Sequence, residues 1–278
     1  MNGPRSHYAT ILDREIHYVE WGAADNPKLV MWHGLARTGR DFDDLAQALC
    51  HRFHIVAPDT IGRGLSQWSP DPANEYTVDF YGRLATAFVD ALGWKTFDWV
   101  GTSMGGAIAI HAGAGALRGR MKRLALNDIG PELNPAAIER IRSYAGTPPR
   151  FARVSELEAY FRQVYAPYGW LSDAQWRRLT ETSARRLPDG GITTHYDPQM
   201  VQQIVNQPAD YDQWDAFRAL ECDMLCLRGE NSDLLLKDAA TRMTKENPRC
   251  RLLEIKGCGH APALNTPEHY KIVGDFLS

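Results

Sequence analysis

No stretch of this chain approaches the roughly 18 consecutive apolar residues that a membrane-spanning helix needs. Its opening residues, Met1 to Gly22, break every short apolar run with charge. Neither a transmembrane helix nor a signal peptide is expected, and no membrane partner. An excess of one sign of charge is also missing: 31 basic residues face 34 acidic ones, for a net charge of −3, and the few arginine pairs are scattered. That leaves no basic footprint for nucleic acid. Cysteine is scarce. Cys50, Cys222, Cys226, Cys250 and Cys258 are odd in number and form no paired C-x-x-C framework. Neither a disulfide scaffold nor a zinc ribbon is indicated, no metal site is expected, and reduced thiols in a cytoplasmic setting fit this usage. Internal repeats and low-complexity linkers are absent, and nothing in the sequence specifies an oligomeric state.

What is present is an ordinary globular composition, 44% hydrophobic and 23% charged over 278 residues. A chain of this length buries roughly 75% of its unfolded surface. Short β-rich runs recur at Glu15 to Glu20, Lys28 to Trp32, Phe53 to Ala57, Phe97 to Val100, Arg123 to Leu126, Met224 to Leu227 and Leu252 to Ile255, each about the length of a buried strand. Helical patterns lie between them. Phe80, Leu84, Phe88 and Leu92 recur every four residues after a Thr77 cap, and Thr266-Pro267 opens a last helix carrying Ile272, Val273 and Phe276. Such starts are the ones helices favour. Strands alternating with helices predict a mostly parallel α/β sheet covered on both faces.

One segment breaks the alternation. From Pro131 to about Phe217 no convincing strand is evident, while Glu156 to Val164 and Asp173 to Leu179 read as helices. The segment holds 12 of the chain's 28 aromatics, among them Tyr144, Phe161, Tyr165, Trp170, Trp176 and Trp214. Most of these rings are expected to form a small core of the segment's own. If the segment lies over the carboxyl edge of the sheet, where open α/β sheets place ligands, some of them also line an apolar pocket. Its nine arginines are read mainly as a solvated surface, a salt bridge to a substrate carboxylate being the other possibility.

The strongest local signal is Gly101-Thr102-Ser103-Met104-Gly105, where a strand runs directly into a Gly/Ala-rich helix. A nucleophile presented on such a sharp turn needs small residues two positions to either side, because the strained backbone leaves no room for a Cβ. The first turn of the following helix offers unpaired N–H groups, so the Met104 amide can face a developing oxyanion. A serine hydroxyl also needs a base. Of nine histidines, His260 has the right setting, in the loop Lys256-Gly257-Cys258-Gly259-His260 after the last strand. His33, before Gly34, is expected to shape its loop through hydrogen bonds. His7, His17, His51, His54, His111, His195 and His269 are read as structural or surface groups, His195 being also a possible pocket residue.

The base in turn needs an acid to hold its tautomer. Asp233, shortly after the Met224 to Leu227 strand, is the expected acid. Asp128, at the end of the strand before the Pro131 segment, is the competing carboxylate, to be decided by which one reaches His260. Two more loops contribute. Trp32-His33-Gly34-Leu35 offers the Leu35 N–H as a second oxyanion donor. In Ala57 to Ser66, Asp59 and Ser66 are expected to fasten the loop rather than touch substrate.

His33-Gly34, the Asp59/Gly62/Gly64/Ser66 loop, Gly101 to Gly105, Asp233 and His260, in this order, resemble the α/β-hydrolase fold superfamily over nearly the whole chain. The order serine, aspartate, histidine is the one that fold uses. The resemblance implies an α/β-hydrolase fold with a mostly parallel eight-stranded sheet, helices on both faces and a helical cap inserted after the sixth strand. It also implies a cofactor-free active site and an acyl-enzyme mechanism. The expected organisation is a core formed by residues 1–130 and 218–278 with a cap at 131–217.

Departures from family patterns narrow the branch. Serine at position 103 argues against haloalkane dehalogenases and epoxide hydrolases, which carry aspartate there. His33-Gly34-Leu35-Ala36 lacks the Gly-Pro-Gly stretch of carbon–carbon bond hydrolases and the His-Gly-Gly-Gly loop of the hormone-sensitive-lipase type. What remains is similar to carboxylesterases, enol-lactonases and cofactor-free haloperoxidases. The leading expectation is a serine hydrolase with Ser103, Asp233 and His260 catalytic and Leu35 and Met104 in the oxyanion hole, acting on a small-molecule ester or lactone. A cofactor-free oxygenase, motivated by Asp128, and a non-enzymatic ligand receptor of the same fold are the alternatives.

Overall fold

The structure, a computed structural model, describes residues 3–205 and 208–278. Strands β1 (Arg5–Ile11), β2 (Arg14–Trp21), β3 (Lys28–Trp32), β4 (His54–Pro58), β5 (Phe97–Thr102), β6 (Met121–Asn127), β9 (Asp223–Gly229) and β10 (Cys250–Ile255) form one sheet, separated in the chain by the short strands β7 (Ala184–Arg186) and β8 (Ile192–Thr194). The sheet order is β1-β2-β4-β3-β5-β6-β9-β10. The pairs β1/β2 and β2/β4 are antiparallel and all others are parallel. The eight-stranded, mostly parallel sheet thus agrees with the expectation.

Seven of the eight strands coincide with the apolar runs in the sequence. Strand β1 was not among those runs, because an edge strand alternates exposed and half-buried residues instead of running apolar. It is joined to β2 by a tight turn with Leu12 and Asp13 at φ 50° and 59°.

Alternate strand residues feed two cores. Val30, Trp32, Trp99, Leu124 and Leu126 pack on one face, and Leu29, Met31, Val100, Ala125 and Leu227 on the other. The second face is covered by α1 (Asp43–Leu49) and α11 (Pro267–Phe276). Between α1 and α4 lie α2 (Pro72–Glu75) and α3 (Val78–Ala91); α3 and α4 (Met104–Ala114) cover the first face. Thr77 accepts a hydrogen bond from the Phe80 N–H and Thr266 one from the His269 N–H, so both expected caps are made.

Between β6 and β9 the chain leaves the sheet. It forms α5 (Pro135–Ala145), α6 (Val154–Val164), α7 (Asp173–Glu181), the β7/β8 hairpin, α8 (Gln202–Val205) and α9 (Trp214–Arg218), and α10 (Lys237–Glu246) follows β9. The hairpin departs from the expectation of no strand in this stretch. Its three-residue strands are too short to leave an alternating pattern. Leu157, Phe161, Trp176 and Ile192 form a separate small core here. No helix among the described residues is long and apolar enough to cross a membrane.

At the end of the sheet opposite Ser103, Asp98 of β5 is 4% exposed and its Oδ1 has no protein partner. Burial raises its pKa to about 6, against the pull of Arg123 and Lys122. A folded pKa above the ordinary carboxylate value means that folding favours the protonated acid. The contribution is most favourable below about pH 3.8 and is lost as pH rises through the folded pKa. Asp98→Asn is expected to raise the melting temperature at pH 8 by about 2–4 °C and to leave it unchanged near pH 4. Thermal unfolding at the two pH values checks this, and equal shifts at both would contradict it.

Candidate active site

Because β3, β5, β6, β9 and β10 run parallel, the loops after all five open at one edge of the sheet. Ser103 lies between β5 and α4 with φ 51° and ψ −120°, a conformation that costs a non-glycine residue about 1–3 kcal/mol. The surroundings enforce it. The Ser103 N–H donates to the Asn127 carbonyl at 3.0 Å, and helix and strand meet so closely that a Cβ on Gly105 would stand 2.0 Å from the Trp32 carbonyl oxygen. A Cβ on Gly101 would stand 2.5 Å from the Gly105 carbonyl oxygen. Both glycines are therefore required, as the pentapeptide suggests.

The Ser103 hydroxyl donates to His260 Nε2 at 2.9 Å, and His260 Nδ1 donates to Asp128 Oδ2 at 2.7 Å. Asp128 is fully buried. Its Oδ1 accepts from the Gly229 N–H at 2.8 Å and its Oδ2 also accepts from the Ser232 hydroxyl at 2.6 Å. These bonds keep the carboxylate oriented.

The structure thus corrects the assignment of Asp233. Ser232 turns inward to Asp128, and the next side chain points away: Asp233 is half-exposed and pairs with Arg140 of α5 at 2.7 Å. Asp233 remains in the wall of the cavity, but the carboxylate on His260 comes from the strand before the long insertion. Asp128 itself sits at φ 54°, which turns its side chain across the edge of the sheet toward β9.

The loop after β3 closes the other side. Nε2 of His33 accepts from the Thr60 N–H at 2.9 Å, which fixes the proton on Nδ1, and Nδ1 donates to the Gly34 carbonyl at 2.6 Å. Burial lowers the His33 pKa to about 4, so the ring is neutral at pH 7 and its role is structural, as expected. The Arg37 N–H also donates to that carbonyl. With the Gly34 carbonyl held in this way, the trans peptide turns the Leu35 N–H in the opposite direction. A Cβ on Gly34 would stand 3.5 Å from Ser103 Cβ, so this peptide adjoins the hydroxyl. Met104 is the first residue of α4, and its N–H is one of the first-turn donors that no helix carbonyl reaches. Asp59 fastens its loop by accepting from the Gly39 and Leu65 N–H groups and from His17, and Ser66 donates to the Asp59 carbonyl.

Above Ser103 and His260 lies a cavity of about 430 Å³ whose walls include Leu35, Ile141, Tyr160, Phe161, Val164 and Tyr165. Of the aromatics singled out in the sequence, Phe161 and Tyr165 line it. Trp176 is buried in the small core of the insertion, Trp170 is 73% exposed, Trp214 packs against Phe217 and the Arg242 guanidinium, and the Tyr144 side chain lies outside those described. Sequence reasoning missed Arg37, which also lines the cavity and is 3% exposed. No motif marks it.

The fold and this arrangement define a class. A sequence model of the alpha/beta hydrolase family matches residues 29–269, and the chain belongs to that family. Among individual proteins, it is 38% identical to a 3-hydroxybutyrate-oligomer hydrolase of Cupriavidus necator, over 94% of this chain and 92% of the relative. It is 26% identical to a pimeloyl-[acyl-carrier protein] methyl ester esterase of Nitrosomonas europaea, over 91% of this chain and 96% of that one. The crystal structure of an alpha/beta hydrolase from Novosphingobium aromaticivorans superimposes with a TM-score of 0.89 at 30% identity, covering 100% of this chain and 99% of that one. These likenesses support a hydrolytic enzyme.

Gly229 offers a test of how the site is held. A methyl group there would stand 2.3 Å from the Gly259 carbonyl oxygen, so the loop bearing His260 would have to move. Gly229→Ala is expected to cost about 1–3 kcal/mol of stability and to remove the downfield proton resonance of the His260 Nδ1–H. Denaturant unfolding and proton NMR measure the two effects; an unchanged resonance would show that the loop tolerates the methyl group.

Proposed function

We propose that this protein is a serine hydrolase that cleaves a carboxylic ester or lactone of a small to medium, partly apolar substrate. The observation that carries the reading is the 2.9 Å contact between the Ser103 hydroxyl and His260 Nε2 at the floor of an apolar cavity. In this mechanism His260 removes the Ser103 proton as the oxygen attacks the carbonyl carbon, and Asp128 holds the imidazole in the required tautomer and stabilises its cation. The Met104 and Leu35 N–H groups receive the oxyanion. His260 then protonates the leaving alcohol, and water, activated by the same imidazole, releases the acid from Ser103. Every step is proton transfer or acyl transfer, with no cofactor.

Residues 131–217 act as a cap between the core parts 1–130 and 218–278, supplying Tyr160, Phe161, Val164 and Tyr165 to the cavity wall. The relative named for 3-hydroxybutyrate oligomers directs the substrate class toward short aliphatic hydroxyacyl esters. The cytoplasm is the proposed location.

A second reading has one observation in its favour. With Asp128 on His260, a histidine–aspartate pair is set up to deprotonate a substrate for a cofactor-free oxygenase, with Ser103 only binding it. Covalent labelling by a fluorophosphonate separates the two, since the hydrolase reading expects Ser103 to be labelled. Oxygen consumption without labelling would favour the oxygenase.

Turnover of short p-nitrophenyl esters tests the roles individually. Ser103→Ala is expected to abolish it, and Asp128→Asn to lower kcat by about 10⁴-fold, as when an orienting aspartate is replaced elsewhere. Asp233→Asn is expected to stay within about threefold, because an exposed ion pair contributes little. A large loss for Asp233→Asn with none for Asp128→Asn would reverse the assignment.

A further inference from the structure

Two side chains that line the cavity containing Ser103 carry a buried donor with no protein acceptor, Arg37 Nη1 and Thr194 Oγ1; a third such donor, His195 Nε2, belongs to the adjacent residue outside the lining. Arg37 Cγ and Ser103 Cβ stand 4.0 and 3.5 Å from the position a Gly34 Cβ would take, so the arginine stem begins next to the hydroxyl. Its guanidinium is immobilised. Nε and Nη2 donate to Asp41 at 2.9 and 2.6 Å, and the rings of Tyr165 and Phe161 lie 4.9 and 5.8 Å from Cζ. With that edge occupied by Asp41, Nη1 is left over. His195 is oriented as firmly: its Nδ1 accepts from the Gly64 N–H at 2.8 Å, so Nε2 carries the proton and is a donor. Burial, reinforced by the Arg37 charge, lowers its pKa to about 4, which keeps the ring neutral.

Buried donors are nearly always satisfied in folded proteins, by protein, water or ligand. Two on side chains that line the cavity, the arginine held in place by Asp41, form an acceptor site. The charge balance indicates which acceptor. Arg37 is neutralised by Asp41, and Arg140, the other arginine at the cavity, by Asp233. A carboxylate would bring an uncompensated charge into this buried setting, whereas a carbonyl oxygen accepts the hydrogen bonds without one.

We propose that Arg37 and Thr194 form a subsite for a neutral carbonyl oxygen of the substrate, a second ester group near the one cleaved at Ser103. This rests on the ester-hydrolase reading and deepens it: the preferred substrate is a diester or short oligoester rather than a simple monoester.

The test compares methyl 3-(butanoyloxy)butanoate, which presents one ester carbonyl when cleaved at the other, with isopropyl butanoate and methyl butanoate, which have no second carbonyl. The free acid of the diester is the third arm. In the wild type, kcat/KM is expected to be highest for the diester, with the free acid below it. Thr194→Val, close in shape, and Arg37→Lys, which keeps the charge, are each expected to lower the diester value about tenfold further than the monoester values, the loss of one buried hydrogen bond. Equal losses on all substrates would overturn the proposal and leave the donors to bound water and structural support. A preference for the free acid that Arg37→Lys abolishes would overturn the choice of a neutral acceptor.

A binding arm keeps the result separate from catalysis. Calorimetry of methyl 3-(butanoyloxy)butanoate with Ser103→Ala and with Ser103→Ala/Thr194→Val is expected to differ about tenfold in Kd, and isopropyl butanoate not at all. That difference is expected even if wild type turns over none of the esters, a result that would defeat the hydrolase reading alone. Identical diester affinities in the two variants would overturn the subsite.

Discussion

Ser103 is held in a backbone conformation that its side chain does not favour, and the packing around it is arranged to prevent relaxation. The strain is opposed by close contact: α4 starts so near β3 and β5 that only glycine fits at positions 101 and 105. The same contact brings the first turn of α4, with its unpaired N–H groups, alongside the hydroxyl. It also leaves the loop after β3, pinned by the neutral ring of His33, as the facing wall. Strain, donor placement and wall are thus one packing arrangement, and relaxing the turn would disperse all three. Proteins keep such strain where the environment over-determines it, and Trp32 stacked on Trp99 at 5.3 Å with the Ser103 to Asn127 bond supplies that environment.

Much of this was legible in the sequence because buried parallel strands write themselves as apolar runs. Seven of the eight sheet strands, both capped helices and the Gly101 to Gly105 turn follow from local patterns. The edge strand β1 escaped because half its residues face water, and the β7/β8 hairpin because three residues carry no period. The error at Asp233 has a different origin. Asp128 and Asp233 both follow strands that end at the same edge, and nothing local says which side chain turns inward. That depends on the positive φ of Asp128 and on Ser232 filling the position beside it, both tertiary facts. Arg37 was invisible for a related reason: its burial is produced by Asp41, Phe161 and Tyr165, which come together only when the insertion covers the edge. The nine arginines inside the insertion drew attention to the wrong part of the chain.

The protein contains a second row of the same three side chains, and the contrast is instructive. The Ser6 hydroxyl meets His17 Nε2 at 2.5 Å, and His17 Nδ1 meets Asp59 Oδ2 at 2.8 Å. Serine, histidine and aspartate are in hydrogen-bond sequence in both places. Ser6, however, lies in the exposed face of an edge strand, with ordinary antiparallel pairing to Val19 and no helix after it to supply free N–H groups. Asp59 is already committed to the Gly39 and Leu65 amides, and the row ties β1, β2 and the loop after β4 together. Side-chain identity alone therefore does not distinguish the two serines; the strained turn and the apolar enclosure set Ser103 apart.

The placement of Asp128 also bears on how freely the insertion can change. Its carboxylate bonds to Gly229 and Ser232 across 101 and 104 residues of chain, so the point where the insertion leaves the sheet is fastened directly to the far end of β9, the strand on which the chain returns. The loop between them is closed by the sheet and this carboxylate rather than by its own contents. For a flexible loop, each doubling of length adds only about 0.6 kcal/mol of closure entropy. Segments could be lengthened, shortened or exchanged there at little cost to the alignment of Ser103 and His260. Descendants of such a chain can explore new pocket walls while Ser103 and His260 stay where they are.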